Sequence, residues 1–209
     1  MEKTDLLGVI IREKCSVLCA DNYRKIHQFY CDNREILQPK YAIAPGFIQY
    51  TNRAVKHGVI IELIRLFDDS SFNIDKLCNE CKKHSKSFRR YVKIEGTHRP
   101  FSLDETIMEY KNSIKPYRKA ISNLRVQRNK IWAHTDTEYI KNPLEAEDKF
   151  PVSWGEIEEI IEIVKTLLMN LEQGLTGSGD VFQFADGLDV KILFDRIVIE
   201  QEADTDGQA

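Results

Sequence analysis

The sequence has no long hydrophobic run, and it contains little glycine or proline. No stretch of its 209 residues approaches the roughly 20 consecutive apolar residues that a membrane-spanning helix needs. Ten glycines and six prolines are too few for a collagen or for a Pro/Gly-rich linker protein. The apolar fraction of 42% instead predicts a packed core, in one domain or in one domain with an appendage.

The amino terminus also lacks the features of a secretory signal. No cationic segment precedes a clean apolar stretch, and the charged residues Arg12, Glu13 and Lys14 follow at once. The chain has five cysteines, an odd number, which without a signal indicates reduced thiols rather than a disulfide framework. We therefore expect a cytoplasmic protein with no membrane partner.

Familiar nucleotide-binding and hydrolase motifs are missing as well. There is no GxxxxGK(S/T) phosphate loop, no GxGxxG and no serine-nucleophile elbow, so nucleotide hydrolysis and hydride transfer have no support. Cys78, Cys81 and His84 have half the spacing of a zinc site, but structural zinc needs a fourth ligand, and there is no second CxxC and no HxxxH. We expect the two cysteines to pack in the core, and we expect no metal or other cofactor.

The net charge of −3 conceals an uneven distribution. Between Lys82 and Lys130, fourteen Lys and Arg residues stand against four acids, and between Tyr110 and Thr135 there are seven basic residues and no acid. Such asymmetry predicts an anionic partner for one part of the fold. The alternative is a solvated basic face that acidic neighbours balance, because clusters of Lys and Arg are common on surfaces.

Hydrophobic periodicity predicts an all-α chain. Apolar residues recur mostly at intervals of three and four in five segments: Asp5 to about Asn33, Phe47 to Phe67, Ile74 to about Ser85, Ser102 to about Ile131, and Ser153 to about Leu171.

Local signals predict where these helices begin, break and end. Pro116 should kink the fourth helix near Asn112 or divide it in two. Pro39 and the Pro45–Gly46 pair are predicted to bracket a connection, and residues 86–101 are predicted to form a basic loop. The predicted N-caps are Asn73, Ser102 and Ser153, of which the two serines have Glu105 and Glu156 in position to complete capping boxes.

We predict that residues 1–174 form a bundle of four to five helices and that residues 175–209 form a small C-terminal appendage. Gly174 and the run Gly177-Ser178-Gly179 mark the end of the last helix. Residues 180–200 mix strand-like alternation with helical spacing, so a β-hairpin and a short helix both stay open. The final residues form an acidic tail.

One charged residue interrupts the apolar stripe of the fourth helix. The heptad spacing after Leu124 leads to positions 128 and 131, where Ile131 fits and Arg128 does not. A guanidinium in such a position is costly unless it is paired or lies in a wet cleft. His134 follows six residues later. Either Arg128 pairs with an acid of the second helix and His134 caps a helix C-terminus, or the two residues form a site.

The string LRVQRNKIWAH, followed by Thr135 and Asp136, resembles the R-x(4–6)-H signature of HEPN domains, in the form seen in AbiU2-type abortive-infection proteins. The earlier segment GVIIELIRLFDDS, which contains Arg65 and Asp68, is similar to that branch as well. The resemblance covers roughly residues 5–173. It implies an all-α, HEPN-like bundle, a metal-independent endoribonuclease that acts in abortive infection or a toxin–antitoxin system, and RNA and an antitoxin protein as partners.

The resemblance also implies roles for individual residues. Metal-free cleavage uses the ribose 2′-OH as nucleophile, so it needs a base for the 2′ proton and a cation for the charge that develops on the phosphate. His134, with an ordinary pKa of about 6.5, suits the base or acid, and Arg128 can present a bidentate fork to the phosphate. Asn129 would orient the histidine or the phosphate.

Further residues are expected to support this chemistry. Arg125, Lys130 and Lys119 should attract the RNA backbone. Arg65 and Asp68, three residues apart on a helix, can pair with each other. Asp68 or Asp69 can instead neutralise Arg128. We therefore expect Arg65 and Asp68 to position the site residues without contacting the RNA themselves.

Helix geometry favours a site shared between two copies of the chain. Six residues at 100° each place Arg128 and His134 about 120° apart, with about 9 Å of rise between them. A two-fold axis would bring two Arg and two His to one groove, as in HEPN homodimers, and two-fold dimers are the commonest oligomers. We therefore predict a homodimer. The alternatives are a non-catalytic HEPN module that binds RNA or a protein with Arg128 in a structural ion pair, and a toxin–antitoxin protein whose Arg128 and His134 an antitoxin modifies or blocks.

Overall fold

The computed structural model describes residues 3–35, 37–38, 45–69, 72–94, 97–133 and 148–177. The predictions for His134, for the C-terminal appendage after residue 177 and for the acidic tail lie outside these ranges. Among the described helices, none is long and apolar enough to cross a membrane. The elements are α1 (Lys3–Asp32), α2 (Pro45–Arg65), α3 (Ile74–Lys83), β1 (Tyr91–Ile94), β2 (Thr97–Pro100), α4 (Leu103–Ile114), α5 (Arg118–Gln127) and α6 (Trp154–Thr176).

The predicted all-α class is confirmed, with one small two-stranded sheet added to the described helices. The chain divides into two compact units, of which the first comprises Met1–Asp21 and His57–Asp180. Its core is aliphatic, and α4 packs against α6. The C-terminal half of α2 contributes Val59, Ile60, Leu63 and Ile64 to this core, and the buried Leu66 follows the helix.

Charged side chains also cross this unit between α1 and α6. Lys14 Nζ lies 2.6 Å from Glu172 Oε2, and both side chains are buried. A second ion pair joins the same two helices: Lys165 Nζ of α6 lies 3.2 Å from Asp21 Oδ2 of α1. Breaking a buried ion pair is costly, because the remaining charge loses its partner in a low-dielectric environment.

The second unit comprises Asn22–Lys56 and Val181–Ala209. In its described part, the end of α1 and the start of α2 enclose a small apolar cluster of Tyr30, Leu37 and Ile48. A hydrogen bond of 2.8 Å joins His27 Nδ1 and Asn52 Oδ1.

The predicted breaks and caps are present at most positions. Pro116 divides the long helical segment, since α4 ends at Ile114 and a 3-10 turn over Lys115–Tyr117 precedes α5. Proline lacks the N–H that would continue the helical hydrogen bonds. The caps follow the predicted pairs: Asn73 Oδ1 accepts from Lys76 N, Ser102 Oγ accepts from Glu105 N, and Ser153 with Glu156 forms a full capping box.

Two helix boundaries differ from the predicted ones. Pro45 and Gly46 begin α2, two residues before the predicted start at Phe47, because proline is compatible with the first turn of a helix. Gly174 does not end α6, which continues to Thr176 and is capped by Gly177 with φ of +88°. Gly174 is instead a close contact point, where an added Cβ would lie 2.2 Å from the Phe101 ring.

The predicted basic loop over residues 86–101 is also wrong, because it contains an antiparallel β-hairpin. Val92 pairs with Arg99 and Lys93 pairs with His98. Of the side chains described in β1 and β2, only Val92 is buried. With only one inward-facing apolar residue, the segment shows almost no alternation of apolar and polar residues. The sequence pattern therefore did not predict the strands.

Candidate functional site

The end of α5 changes its helical geometry at the residue that interrupts the apolar stripe. Arg128 to Ala133 form a π-helical segment, in which hydrogen bonds close over five residues instead of four. Such segments occur mostly as single turns attached to α-helices, frequently at functional sites. The rotation of 100° per residue that an α-helix gives therefore does not hold over Arg128–Ala133, and His134 lies outside the described residues.

Arg128 is held at the surface of the core by two neighbours. Its Nη1 donates to Asp68 Oδ2 at 2.6 Å, and its Nε and Nη2 both donate to Asn129 Oδ1, at 3.0 and 2.9 Å. The Arg128 side chain is 20% exposed and that of Asp68 is 21% exposed. The guanidinium is thus paired with an acid that follows α2, but it is not sealed from solvent.

Arg125 lies one turn earlier and binds the same short segment that follows α2. Its Nη2 donates to the Phe67 carbonyl at 2.7 Å, and its Nη1 lies 3.6 Å from Asp69 Oδ2. Two adjacent acids therefore receive two arginines of one helix. Arg125, which we expected to attract RNA, thus ties α5 to the segment that follows α2.

Four further predicted site residues are described. Asn129 is exposed and contacts Arg128, Lys130 is half-buried, and Lys119 is exposed. Arg65 Nε lies 3.9 Å from Glu62 Oε2, one turn back along α2. Of the predicted site residues, the structure brings Arg128, Asn129 and Asp68 into contact.

Two buried amides near the motif were not anticipated from the sequence. Gln127 Nε2 donates to the Phe150 carbonyl at 2.7 Å, and Asn123 Nδ2 donates to the Pro151 carbonyl at 2.9 Å. Both side chains are buried, so they fix the start of α6 against α5 immediately before Arg128. The available signal was a pair of amide residues, four apart, on either side of the apolar Leu124.

Cys78 and Cys81 lie in the main core cluster, as we expected from the sequence. Burial raises the pKa of each thiol to about 12. Both side chains are therefore protonated at neutral pH and act as small apolar groups.

Comparison with known proteins extends the likeness seen in the motif. A HEPN family model described as AbiU2 matches residues 13–193, a range that contains the π-helical segment and His134. No curated protein and no solved structure matches the chain significantly.

Proposed function

The chain belongs to the AbiU2 family of HEPN proteins, and on that premise we propose that it is a metal-independent endoribonuclease of an abortive-infection or toxin–antitoxin system. The ribose 2′-OH attacks the adjacent phosphate, which yields a 2′,3′-cyclic phosphate and a free 5′-OH. In this mechanism His134 takes or returns the proton, and Arg128 stabilises the charge that develops on the phosphate oxygens.

The arrangement of Arg128 is the observation that carries this proposal. A guanidinium has five N–H groups, and three of them donate to Asp68 and Asn129. Within the described part of the chain, one N–H on each Nη atom is not donated. Arg128 is therefore held in place by some of its donors, while others stay available to phosphate oxygens at a side chain that solvent reaches.

We propose that the working form is a homodimer. A two-fold axis beside the π-helical segment would place the Arg128 and His134 of each protomer around one groove. RNA would lie in that groove, and an antitoxin protein would block it. Sedimentation equilibrium of the purified protein tests the oligomeric state, and a monomer at concentrations where RNA is cleaved would contradict a shared site.

A matched set of variants tests the cleavage chemistry. RNA integrity and product ends are compared for the wild-type protein, His134→Ala and Arg128→Ala, in the presence of EDTA. We expect each site variant to lose about 10²- to 10⁴-fold in cleavage rate, the usual contribution of an acid–base group, and the wild-type products to carry 2′,3′-cyclic phosphates. His84→Ala, at the end of α3, is the control and should cleave normally. Equal cleavage by wild type and His134→Ala would contradict the proposal.

A second candidate is a non-catalytic HEPN module that binds RNA or a protein. The short contact of 2.6 Å between Arg128 and Asp68 favours it, because a structural ion pair needs no substrate. Under this alternative Arg128→Ala lowers stability, and neither Arg128→Ala nor His134→Ala changes RNA integrity.

A further inference from the structure

A second basic surface lies on the β-hairpin, away from the residues of the Arg128 motif in sequence. Residues 85–101 contain five Lys or Arg and a single acid, Glu95. We call the exposed hairpin residues the hairpin patch: Arg89, Arg90, Tyr91, Lys93, His98 and Arg99.

The cations of the hairpin patch have no acidic partners among the described residues. Arg89, Arg90, Lys93 and Arg99 form no ion pair within that part of the chain. The neighbouring helix α3 differs, because Lys82 Nζ lies 3.5 Å from Asp104 Oδ1 and Lys83 pairs with Glu80. Positive charge that no neighbouring acid neutralises attracts an anionic ligand most strongly.

Backbone hydrogen bonds attach the hairpin segment to the C-terminal end of α6. Arg89 N donates to the Gly174 carbonyl at 2.7 Å, and Lys93 N donates to the Gly177 carbonyl at 3.1 Å. Phe88 and Phe101, at the two ends of the hairpin, stack with ring centroids 6.1 Å apart. These contacts hold the patch in one arrangement, so a ligand need not order the strands when it binds.

The hairpin register places an exposed aromatic ring on the same face as Lys93. Paired residues share a face, so Tyr91 and Lys93 lie with Pro100 and His98 on the face opposite the buried Val92, whereas Arg99 pairs with Val92 and belongs to the other face. Tyr91 is 62% exposed. An exposed ring beside a cation suits stacking on an unpaired base, while the cations at both faces of this narrow hairpin contact phosphates. Among the side chains that are described in β1 and β2, none is both aliphatic and exposed.

We propose that the hairpin patch binds single-stranded RNA outside the Arg128–His134 site and holds it for cleavage. The inference rests on the proposed function for the identity of the ligand, but it concerns binding rather than chemistry.

Binding is measured in the His134→Ala background, so that cleavage does not interfere. A fluorescein-labelled, unstructured 20-nucleotide RNA is titrated by fluorescence anisotropy at several KCl concentrations. We expect Arg90→Gln/Lys93→Gln/Arg99→Gln to weaken binding at least about fivefold and to reduce the salt slope by about 2, since each phosphate contact on a single strand contributes about 0.7. Tyr91→Ala should weaken binding by at least about fivefold, and Tyr91→Phe should restore it.

The matched control removes three exposed cations that already have acidic partners: Arg12→Gln/Lys82→Gln/Lys83→Gln. It should change affinity and slope much less. Equal losses in the two triple variants would overturn the inference, because only net charge would then matter. Unchanged RNA binding by the hairpin variant, with loss of its binding to phosphatidylglycerol vesicles, would overturn it in favour of a membrane surface.

The two proposals fail separately. Hairpin-dependent RNA binding by a wild-type protein that never cleaves RNA rejects the nuclease and keeps the hairpin patch. Cleavage that depends on His134, with RNA binding indifferent to the hairpin variant, rejects the hairpin patch and keeps the nuclease.

Discussion

Two basic regions of this molecule look alike in sequence and differ in structure. At the end of α5, Arg125 and Arg128 meet Asp69 and Asp68. In the hairpin patch, four cations meet no acid among the described residues. A count of Lys and Arg along the chain therefore does not distinguish cations that the fold has paired from cations that form no ion pair with the described acids. What decides the affinity is whether the fold brings an acid to the cation.

The difference has a consequence for ligand binding. A phosphate that approaches Arg128 shares the guanidinium with Asp68 and is repelled by its carboxylate, whereas the cations of the hairpin patch form no ion pair with a described carboxylate. The paired region is suited to hold one group in a defined orientation. The unpaired region is suited to attract and retain a chain of phosphates.

The largest effect should come from loosening the hairpin. Gly174→Ala places a Cβ 2.2 Å from the Phe101 ring, and that ring stacks on Phe88. Either the ring or the hairpin must move, which costs about 1–3 kcal/mol as in other overpacked sites. We expect a lower midpoint of urea denaturation, together with weaker RNA binding.

Gly8→Ala is the matched control for this substitution. Gly8 lies within α1, and nothing lies within 4 Å of the position of an added Cβ. Alanine should stabilise the helix by about 1 kcal/mol. Loss of stability in both variants would show that the contact with Phe101 is not the cause.

Much of the helical fold follows from the sequence, because its signals are local. The Pro116 break and the Ser153–Glu156 capping box need only a few adjacent residues to be recognised. Gly174 was misassigned for the opposite reason. Its small size serves a contact with Phe101, 73 positions earlier in the chain, and no local pattern reports such a contact.

The contact between Arg128 and Asp68 could be anticipated from the sequence, but the geometry around it could not. Arg128 stands out because it replaces an apolar residue in a heptad, and Asp68 was one of two acids considered as its partner. The π-helical segment was not foreseen, because its hydrogen-bond pattern depends on what surrounds the end of the helix. The buried amides Asn123 and Gln127 were missed because their acceptors are backbone carbonyls, which no sequence pattern displays.

A smaller effect should separate the paired region from the unpaired one by stability. Arg128→Ala removes three hydrogen bonds and the charge opposite Asp68. The pair is about one-fifth exposed, so its loss should cost about 2 kcal/mol, between the values for surface and buried pairs. Arg90→Ala, in the hairpin patch, should stay within about 0.5 kcal/mol of wild type. Urea denaturation of the two variants measures this difference in stability. Equal losses would contradict the claim that only the paired arginine stabilises the fold.

The smallest effect should come from converting a paired cation into an unpaired one. Asp68→Asn keeps the size of the side chain and removes the carboxylate that Arg128 contacts at 2.6 Å. Stability should fall by about 1 kcal/mol. In the His134→Ala background, RNA affinity should rise severalfold and the salt slope should steepen by about 0.7, the value of one added phosphate contact. Glu159→Gln, which changes the net charge equally on an exposed residue of α6, should leave the slope unchanged. An unchanged slope for Asp68→Asn as well would mean that Arg128 does not reach RNA and that its ion pair is structural.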